Sequence, residues 1–245
     1  MEDKALLSTE VASGAEKAEL LIVIPAYNEA ENIERVVNHL TANFPQYDYV
    51  VVNDGSRDET AAICQRNGYN LLNLPVNLGL AGAFQAGLKY ADKYGYQYAV
   101  QLDGDGQHRP EYLESMIKKM EEGYDIVIGS RFVGEKKPFT MRMLGSNLIE
   151  LAIRFTTGVN IKDPTSGMRM FSKRMIREFA SGLNYGPEPD TVSYLIRQGA
   201  RVAEVPVIMD ERILGVSYLT PVNAMRYMLK MLISILLIQN FRKRR

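Results

Sequence analysis

The sequence predicts an α/β fold, a mostly parallel central sheet with helices on both faces. Three observations carry this. Strand-like and helix-like stretches alternate with short connections. The first strand-like run, residues 20–24, is continuously apolar, as in a strand buried on both faces. The polar clusters fall after the strands, at the edge where such sheets hold ligands.

Taken in order, the first strand stops at Pro25-Ala26-Tyr27-Asn28-Glu29, and apolar spacing through Ile33, Val36, Val37 and Leu40 marks a helix. A second strand, 49–52, ends in Asn53-Asp54-Gly55-Ser56, where Ser56 or Asp58 is suited to cap the next helix. Cys64 falls in that helix as a small buried apolar residue. A third strand, 70–74, leads through Asn77-Leu78-Gly79 into a Gly/Ala-rich helix ending near Tyr94-Gly95. A fourth strand, 98–102, carries Asp103-Gly104-Asp105-Gly106-Gln107-His108, followed by a helix opened by Pro110. Strand 125–128 closes at Gly129-Ser130-Arg131.

The rhythm then changes. Residues 134–138 read as a loop and 141–155 as a helix, with Leu144, Leu148, Leu151 and Phe155 four, three and four apart. Asp163-Pro164-Thr165-Ser166-Gly167 is a turn before a strand at 168–171, a helix from 173 to 180, a further helix starting at 187–190 and a last strand at 202–207. The second half is expected to extend the same sheet and wall the site.

Composition narrows the function classes. The 245-residue chain has zero formal net charge, so bulk charge gives no argument for nucleic acid. Its single cysteine excludes an intrachain disulfide and fits a reducing compartment. Residues 1–19 are polar and acid-rich without an apolar core, and are expected to be a flexible tail rather than a signal peptide. No uninterrupted apolar stretch reaches the roughly 18 residues that span a bilayer. A dinucleotide dehydrogenase is disfavoured, because Pro25-Ala26-Tyr27 stands where its glycine-rich loop belongs.

The acidic loop is the chemical centre. Asp103 and Asp105, one residue apart at a strand's end, can face one crevice, and the glycines permit a tight turn. Such oxygen donors suit a hard divalent cation that also holds phosphates. His108 is a softer donor, better suited to a structural role. The bland alternative is a polar turn with two solvated aspartates.

Pro25-Ala26-Tyr27-Asn28-Glu29, Asn53-Asp54-Gly55-Ser56, the Asp-x-Asp at Asp103 and Asp105, and Gly129-Ser130-Arg131 occur in one order along residues 20–217. Together they resemble the family-two glycosyltransferases of the GT-A fold, a Rossmann-like nucleotide-sugar-binding architecture. Asp163-Pro164-Thr165-Ser166-Gly167-Met168-Arg169 and Arg212-x-x-Gly215-x-Ser217 look like the branch that charges a polyprenyl phosphate. The resemblance implies a metal-dependent, inverting hexosyltransferase using a UDP- or GDP-sugar and Mg²⁺ or Mn²⁺. It assigns Pro25, Tyr27, Glu29 and Asp54 to the base and ribose pocket, and Asp103, Asp105 and Gln107 to the metal and diphosphate. Asp103 can also act through the ribose.

The acceptor decides the rest of the chemistry. A saccharide hydroxyl, as in cell-surface polysaccharide synthesis, would need a general base, with Asp163, Glu188 and Asp190 as candidates. An undecaprenyl or dolichyl phosphate is already anionic and needs cations to hold it. Arg131, Arg169 and Arg212 suit that, since guanidinium binds phosphate bidentately. Tyr218 departs from the branch, which often has lysine there. A reading of another class is an inactive nucleotide-sugar-binding scaffold, against which the intact acidic loop argues.

Residues 218–245 form the last segment. From Pro221 the sequence reads as a helix with Asn223, Arg226, Lys230 and Ser234 on one stripe and Met225, Met228, Leu229, Leu232, Ile233, Leu236 and Leu237 on the other. It ends in Arg242-Lys243-Arg244-Arg245 without an acidic residue after Pro221. This suits a membrane surface or a small membrane-protein partner, and so a peripheral place at the cytoplasmic face. The alternative is packing on the domain or on another copy, as in a homo-oligomer.

Overall fold

The computed structural model describes residues 19–135, 137, 140–181, 186, 188–210 and 221–238. The sequence-marked residues Arg212, Gly215, Ser217 and Tyr218, most of the expected N-terminal tail, and the closing basic cluster lie outside these.

The period-two geometry of a strand divides the first apolar run between two cores. β1 (Leu20–Ala26) sends Leu20, Ile22 and Ile24 to one face of the sheet, against α1 (Ile33–Asn43), α2 (Thr60–Arg66) and α4 (Leu113–Glu121). Leu21 and Val23 enter the other core, with α3 (Gly79–Tyr94), α5 (Met141–Thr157), α6 (Lys173–Ser181), α7 (Pro189–Arg197) and α8 (Pro221–Leu236). The continuous apolar reading of β1 is thereby explained.

β1 pairs in parallel with β2 (Asp48–Asp54) and β4 (Tyr98–Gln101), and β2 with β3 (Leu71–Leu74). β5 (Ile126–Ser130) runs parallel to β7 (Val202–Pro206). β6 (Arg169–Ser172) is inserted between β4 and β5, antiparallel to both, giving the order β3-β2-β1-β4-β6-β5-β7. The sequence did not announce this reversal. Its consequence is positional: a strand running backwards starts at the edge where its neighbours end, so the turn at Asp163–Gly167 joins the ligand edge. The chain moves outward from β1 to β3 and then crosses back to β4, which makes the end of β1 and β4 a topological switch point.

Local chemistry sets several boundaries. The expected helix after Pro110 opens as a 3-10 turn, Pro110–Tyr112, before α4. Asp58, not Ser56, serves the start of α2, its Oδ1 accepting from Thr60 N at 3.0 Å. Gly95 ends α3 in the left-handed region at φ 75°, where a side chain would be strained. Cys64 is fully buried, and burial pushes its thiol up to about 11.

α5 and α8 depart from simple amphipathic packing. α5 buries Met143, Ile149, Ala152 and Ile153, while the four-three-four stripe of Leu144, Leu148, Leu151 and Phe155 faces outward. α8 packs against α5 and α7. Gly145 of α5 allows this, since a Cβ there would lie 2.8 Å from Met228 Cγ. Met231 and Ile235 of α8 enter the core, and Ser234, which the sequence placed on a polar stripe, turns inward.

α3 packs closely on the sheet at Gly87, where a Cβ would stand 2.2 Å from Val23 Cγ1 of β1. Both atoms are in the packed core, so neither side yields freely. Gly87→Ala is expected to destabilise the fold by about 1–3 kcal/mol through overpacking, even though alanine favours helices. Urea denaturation of the two proteins measures it; equal or greater stability of the variant would show that α3 can slide off β1.

Candidate active site

The loop after β1 is built by cross-links to the loop after β2. Asn28 takes a left-handed backbone, φ 55°, and its N–H donates to Ser56 Oγ at 3.0 Å. Arg57 N returns a bond to Asn28 Oδ1 at 2.9 Å. Glu29 N donates to Thr60 Oγ1 at 2.9 Å, and Ala30 N to Asp58 Oδ2 at 3.1 Å. Burial acts to raise the Asp58 carboxyl, but the bonds from Thr60 and Ala30 outweigh it and hold it below the usual range. Glu29 Oε2 accepts from Asn32 Nδ2 at 2.8 Å, which aims the carboxylate.

Asp54 lies at the foot of the same rim. It is buried, its Oδ1 accepts from Leu78 N at 2.6 Å, and its carbonyl accepts from Asn77 Nδ2 at 3.1 Å. Gly55, at φ 63°, lets the next loop come close, since a Cβ there would be 2.7 Å from Asn77 N. Pro25, Tyr27, Glu29 and Asp54 thus line the ends of β1 and β2.

Two glycines bring the acidic loop into this rim. A Cβ on Gly104 would meet Pro25 O at 3.1 Å and Glu29 Cγ at 3.4 Å. A Cβ on Gly167 would meet His108 Cε1 at 3.1 Å and Asp103 Oδ2 at 3.3 Å. The Asp103–His108 stretch is therefore wedged between the β1 loop and the turn that precedes β6. Asp103 Oδ1 accepts from Gln101 Nε2 at 2.8 Å. His108 is buried and its Nδ1 accepts from Asp103 N at 3.0 Å, so the ring braces the loop. Asp105 is buried too, and its Oδ1 accepts from Gln107 N at 3.0 Å. Arg35 Nη2 donates to Asp105 O at 3.0 Å, tying α1 to the loop.

Among the described residues no three His, Cys, Asp or Glu side chains gather into a metal cage of their own. The donors present fit a cation completed by a substrate's phosphates. They are two carboxylates, one of them partly exposed, and the Gln107 amide on a glycine turn; a hard ion bound this way needs one or two carboxylates from the protein.

Asp210 was not singled out from sequence. Gln107 Nε2 donates to Asp210 O at 3.2 Å, and Asp210 N donates to Gln107 O at 3.0 Å. Arg109 Nε donates to both Asp210 carboxylate oxygens at 2.9 Å, and Arg109 Nη2 also bonds Oδ1. The segment following β7 is thus latched to the acidic loop. These bonds hold the Asp210 carboxyl below its ordinary range and raise Arg109. The partners are 101 residues apart, so no local spacing could reveal them.

Arg131 sits on the far wall. Its Nε donates to Asp163 Oδ2 and its Nη2 to Asp163 Oδ1, both at 2.8 Å, and its N–H to Oδ2 at 3.1 Å. Asp163 is fully buried while the Arg131 side chain keeps 25% of its exposure. Glu204 of β7 receives the N–H groups of Lys162 and Asp163, each at 2.8 Å. Ser166 Oγ donates to Gly129 O at 2.5 Å. A carboxylate so enclosed positions its arginine and has no room to act as a base. Arg169 is buried, its Nη2 donating to Pro164 O at 2.7 Å.

Glu188 and Asp190 stand at the start of α7 and are taken up by α8. Tyr227 hydroxyl bonds Glu188 Oε2, and Ser234 Oγ donates to Asp190 Oδ2 at 2.6 Å. Burial and the neighbouring Glu188 carboxylate push the Tyr227 hydroxyl far above its usual range.

Residues 21–180 match the family described as Glycosyl transferase family 2. Polyprenol monophosphomannose synthase of Mycolicibacterium smegmatis is 32% identical over 223 residues, 86% of this chain and 84% of that protein. Undecaprenyl-phosphate mannosyltransferase of Micrococcus luteus is 32% identical over 210 residues, covering 81% and 86%. UDP-N-acetylglucosamine–dolichyl-phosphate N-acetylglucosaminyltransferase of Methanococcus voltae is 30% identical over 213 residues, covering 77% and 84%. Among solved structures, glucosyl-3-phosphoglycerate synthase from Mycobacterium tuberculosis, in complex with Mn²⁺, UDP and glucosyl-3-phosphoglycerate, superposes with a TM-score of 0.66 at 20% identity over 90% of this chain and 79% of that one. That likeness establishes the fold, a GT-A architecture.

Breaking a buried ion pair by neutralising one partner leaves a charge stranded. Asp163→Asn is therefore expected to cost about 3 kcal/mol, the low end for a buried pair because Arg131 is partly exposed. Equilibrium urea unfolding reads it directly, and a loss below about 0.5 kcal/mol would mean that Arg131 finds another anion at no cost.

Proposed function

Because this chain belongs to glycosyl transferase family 2, we propose that it moves a sugar from a nucleotide-sugar donor to a polyprenyl phosphate, with inversion at the anomeric carbon. The observation that carries this is the wedge itself: the acidic loop held by Gly104 against the β1 loop and by Gly167 against the turn preceding β6. One side of that wedge presents a nucleotide rim, the other an arginine. Three of the relatives that match along most of their length are named for polyprenol, undecaprenyl phosphate or dolichyl phosphate.

In this reading Pro25, Tyr27, Glu29 and Asp54 hold the base and ribose. Asp103, Asp105 and Gln107 would hold Mg²⁺ or Mn²⁺ together with the donor's diphosphate. The cation would supply neutralisation of the charge that builds on the departing nucleotide. The acceptor phosphate is anionic at neutral pH, so its oxygen attacks without a base. What it needs is a cation to bring it against a donor of like charge. Arg131 meets that need. Asp163 fixes its plane by taking Nε–H and one Nη2–H, and the other guanidinium N–H groups are left for phosphate. Arg212, two positions after Asp210, joins Arg131 as the second acceptor cation in this reading. The latch between Asp210, Gln107 and Arg109 then couples the acceptor side to the diphosphate loop. The donor is soluble and the acceptor lipid-borne, so the enzyme works as a peripheral protein at the cytoplasmic face of a membrane. Among the described residues no helix is long and apolar enough to cross one.

Incubating the protein with radiolabelled UDP- or GDP-sugars, Mg²⁺ or Mn²⁺ and undecaprenyl or dolichyl phosphate in detergent tests the proposal. Label should enter an organic-soluble, acid-labile product, and label found only in water-soluble glycan would overturn it. Asp105→Ala should lower turnover by about 100-fold or more.

The latch makes a separate prediction. Asp210→Asn should lower kcat/KM for the lipid phosphate about tenfold through misplacement, while stability changes by less than about 1 kcal/mol because the pair is exposed. The Asp210 carboxyl is depressed in the folded chain. Its contribution is therefore complete above the ordinary carboxylate pKa of about 3.9 and is lost as pH falls through the lower folded value. The difference between wild type and variant should be constant from neutral pH down to about 5 and shrink only below about 4.

A further inference from the structure

Arg35 lies in the first turn of α1, where the positive end of the helix dipole disfavours a cation. The residue is exposed and has water available to it, yet its guanidinium folds onto the acidic loop. Nη2 donates to Asp105 O at 3.0 Å. A Cβ on Gly106 would stand 2.8 Å from Arg35 Nη2 and 3.0 Å from Nη1, so both ends of the guanidinium lie against the Gly106 backbone. Gly106 is also left-handed, at φ 79°. A side chain there would be strained and would displace the arginine.

Asn32 holds the guanidinium from behind. It occupies the N-cap position of α1, but its side chain makes no capping bond. It is buried, its Nδ2 donates to Glu29 Oε2 at 2.8 Å, and its Oδ1 accepts from Arg35 Nη2 at 3.5 Å. Two residues at one helix start have thus left their local uses for partners in the site. Together they join the Glu29 side of the nucleotide rim to the Asp105–Gly106 peptide. From its other side Asp105 Oδ1 accepts from Gln107 N at 3.0 Å. With its carbonyl and one carboxylate oxygen both tied, Asp105 has its direction fixed.

We propose that Arg35 is a positioning residue for the cation site, fixing the Asp105–Gly106 peptide so that the acidic loop meets a divalent ion bridging a nucleoside diphosphate. The inference rests on the donor reading above, which gives the loop that ion. Arg35 reaches the loop through a carbonyl, so it orients the loop without taking up the carboxylates. A cation acting by charge alone would attract the diphosphate and repel the metal. A cation that orients the loop strengthens the metal's share of binding instead. The two roles therefore have opposite signs.

Isothermal titration calorimetry of the full chain with UDP and with GDP, each with and without Mn²⁺, separates them. In the wild type Mn²⁺ should tighten binding of at least one of the two, and Asp105→Ala should abolish that gain. Arg35→Met keeps an aliphatic stem and removes the donors. It should leave metal-free affinity within about twofold of wild type and cut the Mn²⁺-dependent gain about tenfold or more. Arg35→Lys keeps the charge and a donor and should fall between wild type and Arg35→Met. Weaker metal-free binding with an undiminished Mn²⁺ gain in Arg35→Met would overturn the proposal and make Arg35 a charge for the phosphates. Equal loss of both would overturn it too, as a general disturbance of the rim. A gain that Asp105→Ala abolishes and Arg35→Met spares removes the role of Arg35 and leaves the donor reading standing. Absence of any Mn²⁺ gain in the wild type, or a gain that survives Asp105→Ala, sinks the donor reading itself and the inference with it.

Discussion

The buried carboxylate of Asp163 is the constraint to which the acceptor half of the site answers. A charge with no solvent access persists only if its lone pairs are filled. Arg131 fills them from one side with its backbone and side chain, and Glu204 holds the turn from behind. Three parts of the chain are fixed by this: the end of β5, the turn at Asp163–Gly167 and β7. Because that turn is fixed, Gly167 can lie against His108 and Asp103, and the acidic loop acquires its second wall. The arginine that would meet an acceptor and the aspartates that would meet a donor are thus referred to a common support.

The donor half is supported differently. It uses backbone N–H groups donated to small polar side chains, from Asn28 to Ser56, Glu29 to Thr60, Ala30 to Asp58 and Leu78 to Asp54. Two of these acceptors are hydroxyls and two are aspartate carboxylates already taken up by backbone, and Glu29 and Asp103 stay partly exposed to a ligand. The division suits a reaction between two anions. The nucleotide needs shape and hydrogen bonds, and the phosphate acceptor needs positive charge brought close and held.

Much of this was legible in the sequence because it is local. Apolar runs, turn residues and capping positions lie within a few residues of one another, so β1 to β5 and their loops could be read in order. The acidic loop was recognised because its two aspartates are one residue apart. Three features were not legible, each for a physical reason. The reversal of β6 depends on which neighbours pair with it, and antiparallel and parallel strands of that length look alike. The outward stripe of α5 was ambiguous because both sides of that helix are apolar; periodicity finds a stripe but not the direction it faces. The Asp210 latch joins side chains far apart in the chain, and nothing about an aspartate two places before Arg212 says that Arg109 will meet it.

Cys64 has a use outside catalysis. The chain's one thiol is sealed on the inner face of α2 and kept protonated, so alkylating reagents that need a thiolate will pass over it. The native protein is therefore a silent background for spectroscopy. A cysteine introduced at Asn147, between the outward leucines of α5, would be the single site taking a nitroxide or an environment-sensitive dye, with no need to remove the natural residue. Depth and orientation at an interface then become measurable on an otherwise unaltered chain.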